Sequence, residues 1–358
     1  MTVPSRPTVS AQPGFRPTVV EAGLVQLANN EVPDGPLPTA ARALAAATTG
    51  VNRYPDPTAA GLVDRLADHL GVPAGRVVVG DGSVSLCQQL LQALCGPGDE
   101  VVSGAPSFEL YPVLSRAAGA EPRPVALAPG HTLDLDAMAT AVTPATRVVF
   151  VCNPNNPTGT TVDRADLERF LATVPDRVLV VLDEAYRDFV DDPEVPDGAV
   201  LARSRGNVAV LRTFSKGYGL AGLRVGYGVF PTPVADAVRR LALPYAVNTL
   251  AQTAALASLD AGDELRDRCR RIGRERDRVR AALVGAGFAV PPSQANFLWL
   301  PVGDRAEALA AHCRRHGVLV RAVPGAGVRV SVGTPAENDA FLRLVRAAEG
   351  VLPEPAGS

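Results

Sequence analysis

Three apolar runs of the chain end on residues able to move protons or hold charge. FVCNPNNPTG leaves Asn156 in a proline-flanked loop, and VVLDEAY ends on Asp183 with Tyr186 three residues on. LRTFSKGYGLAGLRVG carries Thr213, Ser215 and Lys216, then Arg224 eight residues after the lysine. Each run reads as a strand of an open α/β sheet, and such sheets bind ligands outside the carboxyl ends of their strands. A carboxylate, a phenol, an amide, an amine and a guanidinium would then converge on one crevice. Singly, each has a plainer reading: Asp183 as a helix cap, Lys216 as a solvated amine.

A fourth segment, RVVVGDGSVSLCQQLLQAL, passes from a strand through Gly80-Asp81-Gly82-Ser83 directly into a helix. Glycine allows the tight bend, and the free N–H groups of a helix's first turn face any anion placed there. Gly82 and Ser83 therefore form either a phosphate cradle or a bare strand-to-helix turn. A dinucleotide fingerprint fits poorly because Ser85 replaces its third glycine, and no lysine follows as a P-loop requires.

These residues need a scaffold of alternating strands and helices. Near-continuous apolar runs at 76–79, 100–102, 147–152, 178–182, 208–211 and 224–230 suit central parallel strands covered on both faces. Helical spacing at 83–94, 108–118 and 163–172 lies between them, which predicts an α/β sheet with right-handed crossovers. Thr232-Pro233 opens a helix to about 241. A charge-laced helix over 260–283 follows, then a strand at 297–300, a helix at 305–316 and strands at 318–320 and 328–332. The expected organisation is an N-terminal arm over 1–40, a large domain over 41–245 and a smaller α+β domain over 246–358, with a frayed tail from 353.

The 358 residues carry 35 Lys+Arg against 37 Asp+Glu, a net charge of -2, with 47% hydrophobic residues. That is a globular composition without the basic face of a nucleic-acid or anionic-membrane binder. No apolar run reaches the roughly 18 residues of a spanning helix, and the N-terminus lacks the pattern of a secretory signal. Five scattered cysteines without a CxxC pair read as free thiols in a reducing compartment, so a soluble cytoplasmic protein is expected. His312 and His316 lie i, i+4 on a helix with Cys313 between them, but no glutamate occupies a zincin position and no further ligand follows, so they are read as structural, on a surface helix.

Taken together, the Gly-Ser turn, Asn-Pro-Thr-Gly, Asp-x-x-Tyr, Ser-Lys and Arg occur in the order carried by fold type I pyridoxal-phosphate (PLP) aminotransferases, and the chain resembles that family over nearly its whole length. The histidinol-phosphate aminotransferases and related actinobacterial aromatic amino acid aminotransferases are most alike; GSVSLCQQL, SFELYP, PPSQANFLWLP and GVRVSVG resemble the aromatic group. The resemblance implies a large domain with a mostly parallel sheet, a smaller domain, and PLP as cofactor. It assigns Lys216 to the Schiff base and to proton transfer between Cα and C4′. Asp183 would keep the pyridine nitrogen protonated, and Asn156 and Tyr186 would hold the ring O3′. Gly82, Ser83, Thr213, Ser215 and Arg224 would bind the phosphate, and Phe108 would stack on the ring; the plainer reading of Phe108 is core packing. Tyr54, in NRYPD, matches a tyrosine lent across a homodimer to the neighbour's phosphate.

Arg329, in GVRVSVG, matches the arginine for the substrate α-carboxylate, whose two-pronged grip orients the Cα–H for removal. Asn296 and Arg321 match further pocket positions. Arg321 reads equally as a contact for an anionic side chain or phosphate and as a surface partner for a carboxylate. Two departures bear on substrate. No tyrosine precedes Tyr54, and Ala11 stands near the place of the tyrosine that histidinol-phosphate enzymes use to grip phosphate. In NNEVPDGPLP, Asp34 replaces the usual lid aromatic, which points either to a polar substrate or to a solvent-facing loop residue. The expected reaction is ping-pong transamination, through pyridoxamine phosphate, between an aromatic L-amino acid and a 2-oxo acid such as 2-oxoglutarate. Alternatives are a histidinol-phosphate aminotransferase or a specialised biosynthetic aminotransferase for a polar amino acid. Decarboxylation or elimination on the same cofactor, and a non-catalytic regulator, are disfavoured by Arg329 and Lys216.

Overall fold

The computed structural model describes residues 23–348. The first part of the expected arm, with Ala11, and the expected tail from 353 lie outside the described residues. The strands, in chain order, are β1 (Val25–Gln26), β2 (Val77–Gly80), β3 (Glu100–Ala105), β4 (Glu121–Ala126), β5 (Thr146–Cys152) and β6 (Leu179–Asp183). They continue with β7 (Val208–Thr213), β8 (Gly226–Val229), β9 (Phe297–Leu300), β10 (Val318–Leu319), β11 (Arg321–Val323) and β12 (Gly327–Ser331).

A seven-stranded sheet in the order β2-β8-β7-β6-β5-β3-β4 forms the centre. Neighbours from β7 through to β4 are parallel, and β8 alone runs antiparallel, to both β2 and β7. The apolar runs are continuous because both faces are covered. Val149, Val151, Val180, Leu182, Val208 and Val210 enter one core, whereas Val148, Phe150, Val181, Ala209 and Leu211, offset by one residue, enter the other.

Sequence periodicity missed β4, EPRPVA, which lies at the sheet's edge. Pro122 and Pro124, two apart, lack N–H donors on the same side of the strand, which only an edge tolerates and which also blocks further pairing. The helix Thr249–Leu259 was likewise not anticipated. Its Ala-rich surface packs on the helices Pro38–Ala47 and Ala60–Leu70, and Val247, Ala251, Ala254, Ala255 and Leu259 join the core of the large sheet, beyond the expected limit at 245. Small side chains gave no 3.6-residue contrast to read.

β9, β12 and β11 form an antiparallel sheet over a separate core that includes Leu27, Leu283, Leu298, Leu309, Val328 and Phe341. The expected surface helix turns His312 and Cys313 inward, where both are buried. β1 pairs in parallel with β10. The segment after it then crosses to the large core, which Leu37 and Ala40 enter. The helix Gly262–Gly285 runs beside both cores, with Ala261 just ahead of it in the first and Val279 and Leu283 in the second. No helix among the described residues is long and apolar enough to cross a membrane.

Candidate active site

The sheet register brings the ends of three strands level, with Cys152 opposite Asp183 and Asp183 opposite Leu211. After β3 the chain steps outward to β4, then returns to the other side of β3 as β5. That reversal opens a crevice beyond the carboxyl ends. A cavity of ≈ 510 Å³ lies there, lined by Ser83, Phe108, Asn156, Asp183, Tyr186, Thr213, Ser215, Lys216, Arg224, Arg321 and Arg329 among others. Eleven of the residues singled out in the sequence thus meet in one space.

Lys216 is the only lysine in the sequence; every other member of the 35 Lys+Arg residues is arginine. Its Nζ donates to the Asn29 carbonyl at 3.0 Å. Burial lowers its pKa from 10.5 to about 7, helped by the cations Arg329 and Arg224 and opposed by Glu31. A neutral amine is thereby available near physiological pH, as a nucleophile and a proton carrier require.

Asp183 is buried at the end of β6. Burial raises its pKa to about 6, opposed by hydrogen bonds from the Tyr111 hydroxyl to Oδ2 at 2.7 Å and from the Ala185 N–H to Oδ1 at 3.2 Å. The next residue, Glu184, accepts from Arg212 Nε and Nη2 at 2.8 and 2.7 Å and from the Gly198 N–H at 2.7 Å, which ties down the turn after the strand. The Tyr186 hydroxyl accepts from Asn30 Nδ2 at 2.9 Å, and its ring meets Phe297 edge-on at 4.9 Å. Burial pushes its phenol pKa up, so it stays a donor.

An anion cradle lies at the start of the helix Ser83–Leu94. Its cap residue, Gly82, has φ +100° and brings no side-chain acceptor to the first turn. A Cβ at Gly82 would stand 2.5 Å from Arg224 Nη2, and one at Gly226 would stand 2.6 Å from the Ser83 N–H nitrogen. Glycine at both positions lets helix start, β8 and guanidinium close on one point. Arg224 is held in the left-handed region at φ 58°, a strained backbone for arginine, with Nη1 donating to Ala221 O at 2.9 Å and reaching Ser215 Oγ at 3.4 Å. Thr213 Oγ1 lies 3.0 Å from Ser215 Oγ. The turn left open in the sequence reading therefore has the make-up of an anion site.

Across the cavity, Arg329 on β12 donates from Nη1 to Asn156 Oδ1 at 2.6 Å and from Nη2 to Ala28 O at 2.5 Å. Its Nε is buried without a partner, and among the described residues no carboxylate forms an ion pair with it. Burial lowers its pKa. A half-buried cation lacking a counter-ion suits a ligand that brings a carboxylate. Arg321, on β11, lines the cavity and donates from Nη2 to Glu109 Oε2 at 2.6 Å, so it has a carboxylate partner beside the space.

Three expected site residues lie elsewhere. Asn296 is fully buried and donates to Asn30 O at 3.0 Å, so it fastens the Asn29–Glu31 segment that lines the cavity and does not line it itself. Asp34 borders a neighbouring pocket, drawn there by Arg271 on the helix Gly262–Gly285, whose Nη2 donates to it at 2.8 Å. Tyr54 is 83% exposed and packs on Tyr245 at 4.7 Å, outside the cavity of its own chain. Sequence reasoning missed Asn30 and Tyr111. Asn30, at φ 56°, is one of the residue types that tolerate the left-handed region, and it bonds Tyr186, Ser331 and Asn296 at once. Tyr111 stood in SFELYP, three residues after a ring already singled out. The solitary lysine was also there to be counted.

A family model described as aminotransferase class I and II matches residues 22–345. An aromatic amino acid aminotransferase of Streptomyces avermitilis is 54% identical over 319 residues, covering 89% of each chain. One of Thermobifida fusca is 53% identical, covering 94% of this chain and 93% of its own. Among solved structures, a histidinol-phosphate aminotransferase of Sinorhizobium meliloti in complex with pyridoxal 5'-phosphate superposes with a TM-score of 0.87 at 27% identity, over 95% of this chain and 97% of that one. With its crevice, its one lysine and a family match spanning both cores, the chain belongs to the class I and II aminotransferases.

Proposed function

We propose that this chain is a PLP-dependent aminotransferase that moves the amino group of an aromatic L-amino acid to a 2-oxo acid such as 2-oxoglutarate, in the two half-reactions of a ping-pong cycle. The meeting of the sole lysine, a buried carboxylate, an anion cradle and an uncompensated arginine in one cavity carries the reading. Relatives about half-identical over most of the chain support the aromatic class. Arg321 is paired with Glu109 and Asp34 with Arg271, which supports a substrate side chain without a charge of its own.

The residues fit the cofactor. The helix start at Gly82 and Ser83, with Thr213, Ser215 and Arg224, would hold its phosphate; Asp183 would face its ring nitrogen, Phe108 its ring, and Asn156 and Tyr186 its phenolic oxygen. When bound, the cofactor supplies an electron sink for the pair left on the substrate Cα. Arg329 would orient the substrate by its carboxylate, and Lys216 Nζ would take the Cα proton and return it. Tyr54 would complete the phosphate site of a second copy, making the working unit a homodimer. A cytoplasmic location suits five free thiols.

The deciding measurement is a set of single half-reactions with Phe, Tyr, Trp, His and histidinol phosphate, followed by the absorbance of the bound cofactor. Fastest turnover of Phe, Tyr or Trp is expected, and fastest turnover of histidinol phosphate overturns the aromatic assignment. The cradle has its own test. Gly82→Ala drives a methyl group into Arg224 and is expected to weaken PLP binding by at least about tenfold, the worth of one charge-assisted hydrogen bond. Equilibrium dialysis of the cofactor reads it.

A further inference from the structure

Tyr111 has no part in the proposed reaction, yet it is 1% exposed and its hydroxyl donates to Asp183 Oδ2 at 2.7 Å. We propose that Tyr111 is a positioning residue for the cofactor's ring nitrogen. By occupying one oxygen of Asp183, it keeps that carboxylate ionised and presents it edge-on to the cavity. The inference rests on the cofactor assignment made above.

Two ring contacts fix the phenol, and a third bond steadies the backbone that carries it. Its ring stacks on Phe150 of β5, with centroids 4.3 Å apart and planes 10° from parallel. It meets Phe108 edge-on at 5.3 Å. One helical turn on, Ser115 Oγ donates to the Tyr111 carbonyl at 2.7 Å. The hydroxyl therefore has little freedom, and an O–H···O contact of this length to a carboxylate is among the stronger hydrogen bonds a protein makes. The same ring touches Phe108, the residue proposed to stack on the cofactor. One side chain thus couples the group under the ring to the group at its nitrogen.

The need for such a donor follows from burial. A carboxylate taken out of water drifts toward its neutral form, and a neutral carboxyl cannot hold a proton on a ring nitrogen. The titratable groups facing Asp183 are Tyr111 and Cys87 on the flanking helices, Cys152 on β5, and Glu184 and Tyr186 beyond β6. The two thiols and two phenols are pushed up by burial and stay neutral. Glu184 is ion-paired to Arg212 and, as a like charge, opposes ionisation of Asp183. Tyr111 and the Ala185 N–H are the two donors that favour the charge.

The test is PLP binding to cofactor-free protein, by equilibrium dialysis between pH 5.5 and 9, for wild type, Tyr111→Phe, Asp183→Asn and the double variant. Binding that needs an ionised Asp183 is lost as pH falls through its pKa. Removing the hydroxyl raises that pKa, so the acid limb of Tyr111→Phe should move up by about one pH unit, with affinity lower by about twofold at pH 7 and by about eightfold at pH 5.5. In the Asp183→Asn background, Tyr111→Phe should change nothing further. Should Tyr111→Phe not fold, Phe150→Leu, which loosens the ring and keeps the hydroxyl, should move the limb in the same direction by less. A limb at the wild-type pH in whichever of these variants folds, or an equal loss with and without Asp183, overturns the inference. Wild-type protein that takes up no PLP defeats the functional reading instead.

Discussion

Lys216→Ala should lower transamination by about 10⁴-fold, the upper end of what positioned proton transfer contributes, and more if the covalent role is also lost. Because no other lysine exists in the chain, this residue can be followed without interference. Borohydride treatment of the PLP-loaded wild type should leave one adduct, on the peptide containing Lys216, and none in the variant. The cofactor-free protein allows a pH test of the same side chain. A neutral amine is the reactive form, and Lys216 is held at about 7 where an ordinary lysine stands at 10.5. Its acylation rate should therefore rise with pH through about 7 and level off above it, whereas an exposed lysine would keep accelerating to roughly 10.4. Peptide mapping separates it from the N-terminal amine. A rate still climbing at pH 9 would show that the cavity does not hold the amine neutral, and full activity in Lys216→Ala would end the catalytic assignment.

Arg329→Gln is expected to reduce kcat/KM for phenylalanine by about 10²–10³-fold, the range for removing one partner of a desolvated, hydrogen-bonded charge pair. What surrounds the guanidinium sets the size of the effect. Its Nη atoms are anchored by Asn156 and Ala28, its Nε has no partner, and no carboxylate of the described chain neutralises it. An incoming α-carboxylate supplies the missing charge, so the arginine is organised for a ligand before the ligand arrives. Arg329→Lys keeps the charge but loses the planar two-pronged grip, and should fall between wild type and glutamine. An amine with no anionic group, such as phenylalaninol, gives the internal control: its slower turnover should be nearly indifferent to Arg329→Gln. Equal losses for both substrates would mean that the arginine maintains the cavity wall through Asn156 and does not read the carboxylate.

Much of this molecule was open to a reading of its sequence. The runs at 147–152 and 178–182 are apolar at every position that two covering layers demand, and the structure has β5 and β6 there within one residue at each end. The helix at 83–94 was legible to the residue because glycines mark its start. β4 and the helix Thr249–Leu259 were not legible, since prolines hide the first and small side chains give the second no amphipathic contrast. At the site, residue type and spacing sufficed for side chains that hang from strand ends. They did not suffice for Asn296 and Tyr111, nor to choose between the two readings of Asp34, because these directions depend on what packs beside each side chain.

The order of the chemistry-bearing segments, their attachment to strand ends and the presence of one lysine are properties of the chain alone, because period-two burial and glycine turns act over a few residues. Which charges remain uncompensated is decided by partners distant in sequence. Asp34 is claimed by Arg271, Arg321 by Glu109 and Asp183 by Tyr111, while Arg329 keeps a cation without a counter-ion. Electrostatic pairing and desolvation depend on separations of a few ångströms between residues 70 to 240 positions apart, and only the folded chain sets those distances.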